Sequence, residues 1–264
     1  MRVSEVRAYW EKNAEAWTFL SRQGYDVSRN HVNTPAFMKL LGRVRGLHGL
    51  DIGCGEGYNT RLAARKGARM TAIDISETFL RHARKTEQRR RQGIEYLHAF
   101  AEKLPFPDAS FDFGMATMSL MDMANQRRAL REACRVLKPG GFFQFSISHP
   151  CFATTKWQWL RDERGEKMAL AVGDYFRRLN GEIEEWIFGA APAELRRRLP
   201  KFRIPRFTRT LSGWLNLVLN AGFQLERFAE PYPSDTTLRR HPDLADARII
   251  AYTLIVRCRK PGQG

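Results

Sequence analysis

The sequence predicts an α/β fold in which helices cover both faces of a mainly parallel β-sheet. Between residues 46 and 149, short apolar segments alternate with amphipathic ones, which is the pattern of strands joined by crossover helices. The first apolar segment leads directly into a glycine-rich turn, GCGEG at 53–57, and a helical pattern follows. The alternation stops at residue 150, and only one helix and two strands are predicted after residue 208.

Each predicted element is bounded by a local signal. The segment that ends at Ile52 is the first strand, and the helix of 59–66 ends before Gly67. Ser76 is a candidate N-cap for a long basic helix that reaches residue 91, and KPGG at 138–141 predicts a tight turn. The other predicted strands are 70–73, 94–99, 111–118, 142–148, 223–228 and 249–258. The other predicted helices are 125–137 and 211–220.

The chain is therefore divided into four parts. Residues 1–45 are predicted to form a helical lid, and residues 46–149 the core. Residues 209–264 hold the helix and strands that complete this core. Residues 150–208 are rich in aromatic side chains and interrupted by prolines, which predicts an insertion of short helices and loops that serves as a second lid.

The composition limits which binding partners and which cellular compartment are expected. Lys and Arg number 44 against 28 Asp and Glu, a net charge of +16. This charge indicates an anionic partner (nucleic acid, an anionic metabolite or a membrane surface) or only a compositional bias. The four cysteines form no C-x-x-C pair, so neither a metal site nor a disulfide framework is predicted. The polar N-terminus and the lack of an apolar run of about 18 residues predict a cytoplasmic protein without a membrane span.

The glycine-rich turn is the candidate ligand site. Glycines after a strand let backbone N–H groups approach a ligand that a Cβ would block, and G-x-G-x-G differs from the spacing of nicotinamide-binding and P-loop sequences. Asp51 precedes the turn, where a carboxylate would repel a pyrophosphate but attract an ammonium group. Asp74 ends the second strand, where a carboxylate can accept hydrogen bonds from ribose hydroxyls. S-adenosylmethionine, with an amino acid at one end and a nucleoside at the other, fits both acids.

Four short segments carry a family pattern: LDIGCGEG (50–57), AIDIS (72–76), AEKLPFPDASFD (101–112) and VLKPGG (136–141). Together they resemble the nucleotide-binding core of the class I S-adenosylmethionine-dependent methyltransferases, and more narrowly the small-molecule branch that includes the quinone C-methyltransferases. The resemblance implies a Rossmann-like seven-stranded sheet of order 3-2-1-4-5-7-6 with an antiparallel last strand. It also implies methyl transfer to O, N or C of a small organic acceptor, with S-adenosylhomocysteine as the second product.

The resemblance further implies roles for residues near the turn. Gly53, Cys54 and Gly55 would line the methionine end of the cofactor, and Asp51 would order the turn and the amino group. The other implied cofactor contacts are Asp74 at the ribose, Ile75 on an adenine face, Ala101 and Glu102 at the adenine edge, and Met118 near the sulfonium. Phe100 departs from the family, which often has an adenine-binding Asp there, so Glu102 or apolar packing would have to replace it.

The acceptor site is predicted from position and residue type. His149 ends the fifth strand, at the edge where ligands bind such sheets, and is a candidate general base. Its alternative role is a hydrogen bond to the insertion. The other candidates for the acceptor pocket are Tyr9, Trp17, Tyr25, Tyr175, Trp186 and Arg206. For the three N-terminal aromatic residues, ordinary packing on the sheet is an equal alternative.

A basic segment, LRRRLPKFRIPRFTR at 195–209, keeps a second function open. Cations interleaved with Phe can follow RNA and stack its bases, so an RNA-directed methyltransferase or a cofactor-binding module is the alternative. The same segment also fits a solvated helix face or an anionic metabolite. Because the aromatic insertion favours an enclosed pocket, a small-molecule acceptor is expected rather than a specific nucleic acid. The sequence predicts no oligomeric state.

Overall fold

The computed structural model describes residues 1–262, and a seven-stranded sheet forms its centre. The strands of the chain are β1 (His48–Ile52), β2 (Arg69–Asp74), β3 (Glu95–His98), β4 (Phe111–Thr117), β5 (Leu137–Ser148), β6 (Lys156–Arg161), β7 (Lys167–Gly173), β8 (Asn180–Trp186), β9 (Phe202–Phe207), β10 (Gln224–Ala229) and β11 (Thr253–Arg259). The central sheet has the order β3-β2-β1-β4-β5-β11-β10. Strands β1 to β5 pair in parallel, and β11 is antiparallel to both of its neighbours. The predicted α/β fold and strand order are thereby confirmed.

Helices cover both faces of this sheet. They are α1 (Val3–Arg22), α2 (Thr34–Leu41), α3 (Tyr58–Arg65), α4 (Glu77–Arg89), α5 (Gln126–Val136), α6 (Ala193–Arg198), α7 (Leu211–Asn220) and α8 (Asp235–Arg240), with a π-helical turn at Arg29–Asn33 and 3₁₀ turns at Leu120–Asp122 and Pro242–Arg248. The predicted cap is confirmed, since Ser76 Oγ accepts the Phe79 N–H at 3.2 Å. In residues 1–262, no helix has the length and apolar character that crossing a membrane requires.

The alternation of side chains along the strands builds one apolar core on each side of the sheet. Phe143 and Phe145 of β5 pack with Leu130 of α5 and Trp214 of α7. On the other face, β4 and β5 pack against α2, α3 and α4 through Phe113, Phe142, Phe37, Ala63 and Leu80. The carboxyl ends of the parallel strands thus form one edge of a rigid sheet, where a ligand site is expected in such folds.

The KPGG segment forms the tight turn that its composition predicted, although it lies within the bounds of β5. A Cβ at Gly141 would be only 2.8 Å from the Lys138 carbonyl oxygen, Gly140 has φ 75°, and the register with β4 shifts across the segment. Gly140 donates its N–H to the Lys260 carbonyl at 3.0 Å, and the Gly141 carbonyl accepts the Lys260 N–H at 2.8 Å. These contacts with the residue that follows β11 hold the turn in place.

The prediction of a helical insertion at 150–208 was wrong. Apart from α6, its regular elements are strands: β6 pairs antiparallel with β7, and β8 with β9. Strand β9 buries Phe202 and Ile204 and exposes the intervening Arg203, which is the period of two expected for a strand. Prolines and a high density of arginine hid this alternation. The connection between β10 and β11 contains α8 and a 3₁₀ turn.

Candidate cofactor and acceptor site

The glycine-rich turn is held at the carboxyl edge of the sheet by its main chain. The N–H groups of Gly53 and Cys54 both donate to the Ile73 carbonyl at 2.9 Å. Gly53 has φ +75°, and a Cβ there would lie 2.5 Å from the Ser119 Cβ. Ser119 is itself fixed, because its hydroxyl donates to the Ile52 carbonyl at 2.7 Å. A side chain at position 53 is therefore excluded both by the backbone conformation and by its neighbour.

Asp74 orders the open part of this turn. Its Oδ2 accepts the Gly55 N–H at 2.7 Å, and its Oδ1 accepts the Ser76 N–H at 2.9 Å. Burial raises the pKa of Asp74 to about 6, although the backbone hydrogen bonds act in the opposite direction. A Cβ at Gly55 would meet no atom within 4 Å. The turn is thus open beside a carboxylate that is already oriented.

Asp51 has a different role from the one implied by the family resemblance. Its Oδ2 accepts the Thr60 hydroxyl at 2.6 Å and so ties the end of β1 to α3. Burial raises the pKa of Asp51 to about 7, and its Oδ1 has no hydrogen-bond partner within residues 1–262. Ile73 and Asp74, rather than Asp51, order the turn, so that part of the prediction was wrong. A contact between Asp51 and the cofactor stays a prediction.

One cavity of about 870 Å³ extends from the glycine-rich turn to α1 and the insertion. This volume is within the range of about 300–1,000 Å³ that is typical of ligand pockets. Among the residues proposed as cofactor contacts, the cavity is lined by Gly53, Cys54, Gly55, Asp74, Ile75, Ala101, Glu102 and Met118. Among the acceptor candidates, it is lined by Trp17, Tyr25, Trp186 and Arg206. The two predicted halves of the site are therefore parts of one cavity.

Two residues that line the cavity, Asn33 and Thr117, each have a side-chain oxygen without a hydrogen-bond partner among the described residues. Both oxygens are covered by protein and do not face the cavity. An unpaired buried polar atom costs about 1–3 kcal/mol. Cys54 also lines the cavity but is not a reactive thiol, because burial raises its pKa. It acts as a small packed side chain.

The departure at Phe100 does not alter the cavity wall. Phe100 packs beside His98, with ring centroids 5.7 Å apart, and it is not among the residues that line the cavity. Glu102 does line it, and burial raises the pKa of its carboxyl group. Glu102 accepts only a long hydrogen bond, 3.4 Å from the Asn125 N–H. The sequence left two replacements for the missing Asp: Glu102 or apolar packing. Because Glu102 has a carboxyl group on the cavity wall, a contact through Glu102 is favoured.

An aromatic cluster joins the N-terminal helix to the insertion. The ring of Trp17 on α1 lies 5.3 Å from that of Trp186, 5.0 Å from that of Phe188 and 4.7 Å from that of Phe202, measured between centroids. Phe202 is 0% exposed. Residues 1–45 and 150–208 thus share an apolar core, and together they wall the cavity on the side opposite the sheet.

Two of the acceptor candidates are not at the cavity. Arg203 stacks over Tyr9, with its guanidinium carbon 5.7 Å from the ring centroid. The Tyr175 hydroxyl accepts the Leu211 N–H at 2.8 Å, at the start of α7. Neither tyrosine lines the cavity, so their assignment to the acceptor pocket was wrong. Both side chains instead hold the insertion against neighbouring elements.

The residue that the sequence analysis missed is Asp122, in the 3₁₀ turn after β4. It lines the cavity although it is only 8% exposed. Within residues 1–262 its carboxyl group accepts no hydrogen bond of 3.5 Å or less and forms no ion pair. Burial raises the pKa of Asp122 to about 7, an effect that Arg206 opposes and Glu184 reinforces. An acid within the otherwise weakly polar segment ATMSLMDM (116–123) was the available signal.

Replacing Asp122 by Asn is expected to stabilise the protein above pH 7. The native state keeps the Asp122 proton up to about pH 7, whereas the unfolded chain releases it near pH ~4. Between these values the native state binds more protons, so Asp122 makes the wild type lose stability as pH rises. Urea unfolding at pH 5 and at pH 8 should show a larger advantage for Asp122→Asn at pH 8. An equal difference at both values would contradict the raised pKa.

His149 is a structural tie and not the predicted general base. Its Nε2 lies 2.7 Å from Glu230 Oε1, and its Nδ1 accepts the Cys151 N–H at 3.2 Å. With both ring nitrogens engaged, and with His149 outside the cavity lining, it has no nitrogen available for an acceptor. The alternative role, a hydrogen bond that holds the chain beyond β5, is the one that the structure supports.

His149→Ala is therefore expected to lower the free energy of unfolding by about 1–3 kcal/mol without changing cofactor affinity. The buried ring would be removed, and the Cys151 N–H would lose its acceptor. Urea unfolding measures the first effect and titration calorimetry the second. A variant of unchanged stability that no longer transfers methyl groups would restore the catalytic assignment.

Comparison with known proteins agrees with this geometry. Residues 50–145 match the family described as "Methyltransferase domain". An S-adenosylmethionine-dependent methyltransferase from Mesorhizobium loti superposes with a TM-score of 0.70 at 28% identity, over 86% of this chain and 96% of that one. Over residues 50–145 the chain is similar to a methyltransferase domain, and its fold is similar to that of an S-adenosylmethionine-dependent methyltransferase. The matched residues include the glycine-rich turn, Asp74 and Met118, which directly follows β4.

Curated relatives of this methyltransferase core match it over part of their length. A demethylmenaquinone methyltransferase of Tropheryma whipplei (strain Twist) is 42% identical over 149 residues, which are 56% of this chain and 61% of that protein. A malonyl-[acyl-carrier protein] O-methyltransferase of Buchnera aphidicola is 39% identical over 101 residues. The chain thus matches less than two thirds of either relative.

The described residues offer no evident metal chemistry. Within residues 1–262, no group of three or more His, Cys, Asp or Glu side chains could hold a metal ion. The four cysteines are all free thiols.

Proposed function

We propose that the protein transfers the methyl group of S-adenosylmethionine to a small organic acceptor bound in the same cavity. The observation that carries this proposal is the continuity of the cavity. Asp74 and the glycine-rich turn lie at one end, and aromatic side chains of α1 and the insertion lie at the other. A cavity of about 870 Å³ has room for a cofactor and a small acceptor side by side.

The cofactor end has the groups that S-adenosylmethionine requires. Asp74 would bind the ribose hydroxyls, and the apolar side chains of Ile75 and Phe79 would pack on the adenine. When bound, this cofactor supplies a methyl group attached to a positively charged sulfur. The protein's part is to hold the acceptor in line with that methyl group and to exclude water.

The character of the acceptor follows from the opposite wall. The side chains of Trp17, Trp186 and Phe188 present aromatic surface to it, which favours a flat apolar ring. Arg209 also lines the cavity, contacts Gln126 and has no ion-pair partner among the described residues. An anionic substituent on the acceptor would be accommodated beside it. The small-molecule methyltransferases among the relatives support this class of substrate.

RNA is a less suitable acceptor because the aromatic residues of segment 195–209 are in the core. Phe202 is 0% exposed and Phe207 is 8% exposed, so neither ring can stack on a base. Arg203 pairs with Glu185 at 3.0 Å, and Arg206 pairs with Glu184. The segment therefore has less unpaired positive charge and less accessible aromatic surface than its sequence indicated.

Methyl-labelled S-adenosylmethionine, added to the purified protein with a crude cell extract, tests the proposal. Fractionation into RNA, protein and organic-soluble molecules should place the label in the organic-soluble fraction. Label that enters a defined RNA species and saturates would overturn the small-molecule assignment. The four free cysteines are compatible with a reducing compartment, so we include a cytoplasmic location in the proposal.

A further inference from the structure

We propose that the acceptor carries an ionisable hydroxyl group and that the carboxylate of Asp122 takes its proton. The inference rests on the proposed function, and it adds a substrate class and a catalytic residue to it. Asp122 lies at the acceptor end of the cavity, is buried and has no partner among the described residues. No structural role accounts for a carboxyl group in this place.

The position of Asp122 is favourable for contact with an acceptor. The 3₁₀ turn that carries it follows β4 directly, beyond Thr117 and Met118 at the cofactor end. The same turn packs against β9 of the insertion. Asp122 therefore lies between the part of the cavity assigned to the reactive end of the cofactor and the part assigned to the acceptor.

The surroundings of Asp122 leave its carboxyl group without a partner. The charged groups that act on it are Arg206 on β9 and Glu184 on β8. These two pair with each other, so the guanidinium charge is already largely compensated. By contrast, the buried acid Asp74 accepts two backbone N–H groups. Asp122 has no such donor within the described residues, and its carboxyl group lines the cavity, where a bound ligand could donate to it.

A buried carboxyl group without hydrogen bonds destabilises the folded state. The Asp122 side chain forms no hydrogen bond that links two elements of the described residues. Asp51, by contrast, links β1 to α3 through its hydrogen bond with Thr60. The position of Asp122 at the cavity agrees with a role in the chemistry, because an acid that is perturbed by burial in a cleft is a candidate for a functional group. The donor that it lacks is therefore assigned to the acceptor.

A hydroxyl group suits this site better than a cationic amine. The aromatic wall favours a ring, and Arg209, which lines the cavity and has no ion-pair partner among the described residues, disfavours a positively charged acceptor. A hydroxyl on an aromatic ring is neutral in solution, donates a hydrogen bond to the carboxylate and becomes a strong nucleophile when it loses its proton. A general base within hydrogen-bond distance of that proton is what such a reaction requires.

Methyl transfer begins with the loss of the acceptor's hydroxyl proton. Asp122 accepts this proton, and the resulting oxyanion donates an electron pair to the methyl carbon. The carbon–sulfur bond breaks, and its electron pair stays on sulfur, giving neutral S-adenosylhomocysteine. Attack through the oxygen gives an ether. Attack through a conjugated ring carbon is followed by loss of that carbon's hydrogen as a proton, with the hydroxyl restored. In both cases one proton leaves the acceptor for each methyl group gained.

Equilibrium binding of two matched ligands tests the proposal without turnover. The full-length protein is first saturated with S-adenosylhomocysteine, and its affinities for 1-naphthol and for 1-methoxynaphthalene are then measured at pH 8.5. Only the naphthol can donate a hydrogen bond. A hydrogen bond to a carboxylate corresponds to a preference of about tenfold or more for the naphthol. In Asp122→Asn that preference should fall to about twofold or less, while the affinity for 1-methoxynaphthalene stays unchanged.

Glu230→Gln is the matched control, because it removes the carboxylate that pairs with His149 outside the cavity. It should keep the preference for naphthol. The wild type supplies a second measurement that needs no variant: since the pKa of Asp122 is raised to about 7, its preference should decline at pH 5.5. A wild-type protein without any preference, or an Asp122→Asn variant that retains it, would overturn the proposal.

Different results would contradict the proposed function and the proposed role of Asp122. A wild-type protein that binds neither S-adenosylmethionine nor S-adenosylhomocysteine contradicts the function itself. A protein that binds the cofactor but favours 1-methoxynaphthalene, or methylates 1-naphthylamine in preference to 1-naphthol, contradicts only the role of Asp122. In methyl-transfer assays, Asp122→Asn should lose less activity with 4-nitro-1-naphthol than with 1-naphthol, because the nitro group lets the hydroxyl ionise without a base.

Discussion

Asp74→Asn is expected to weaken the binding of S-adenosylmethionine by about 10- to 100-fold in a protein that still folds. The wild-type carboxylate would accept hydrogen bonds from the ribose hydroxyls, and such charge-assisted bonds are stronger than neutral ones. The substitution also acts on the turn. One oxygen of the side chain becomes an NH₂ donor, which would face the N–H of Gly55 or of Ser76, each of which needs an acceptor.

Titration calorimetry gives the affinity, and circular dichroism checks the fold. Asp112→Asn is the matched control: Asp112 Oδ2 also accepts a backbone N–H, that of His48 at 2.8 Å. It lies near the start of β4, away from the cavity, so the change should reduce stability but not cofactor affinity. An unchanged affinity in a folded Asp74→Asn variant would remove Asp74 from the ribose site.

The sequence was most informative where function depends on backbone conformation. At Gly53, a positive φ and the approach of Ser119 admit no side chain. The turn therefore requires a glycine directly after the first strand, and that glycine is visible in the sequence. Asp74 could be placed in the same way, because it follows a short apolar segment at the end of β2. Such local constraints leave a pattern in adjacent residues, and the cofactor end of the cavity was predicted from them.

The acceptor end depends on contacts between residues far apart in the chain, and it was predicted less well. His149 was placed correctly at the end of β5, but its engagement depends on Glu230, which lies 81 positions further on. The Tyr175 hydroxyl is likewise engaged, because it accepts the Leu211 N–H. Asp122 becomes notable only because β9 covers it and supplies no donor. Residue type and position along one strand contain none of this information.

The basic segment 195–209 shows the same difficulty for secondary structure. Its arginines suggested a solvated helix or an RNA-binding surface, and α6 does account for the first part. The second part is β9, in which Phe202 and Ile204 turn inward and pack in the same cluster as Trp17. The aromatic residues that could have stacked on RNA are therefore the ones that fix the insertion to α1.

Phe202→Ala is expected to lower the free energy of unfolding by about 3–5 kcal/mol, the usual loss for a large buried aromatic side chain. Phe202 is fully buried, and its ring contacts those of Trp17, Trp186 and Phe188, with centroids 4.7, 5.3 and 5.3 Å away. These partners belong to α1 and to the segment around β8, so the cavity left by the substitution would separate the two walls that enclose the acceptor end.

Phe176→Ala is the matched control for this change, because Phe176 belongs to the same insertion but is 83% exposed. Its removal should change the free energy of unfolding by less than about 0.5 kcal/mol. Urea unfolding measures both variants, and limited proteolysis shows whether cleavage within residues 150–208 accelerates in Phe202→Ala. Because the aromatic cluster is the joint between α1 and the insertion, we expect faster cleavage there and a weakened binding of 1-naphthol. A loss below about 1 kcal/mol for Phe202→Ala would mean that its ring is not packed between these elements, and the aromatic face of segment 195–209 would again be available to an external partner.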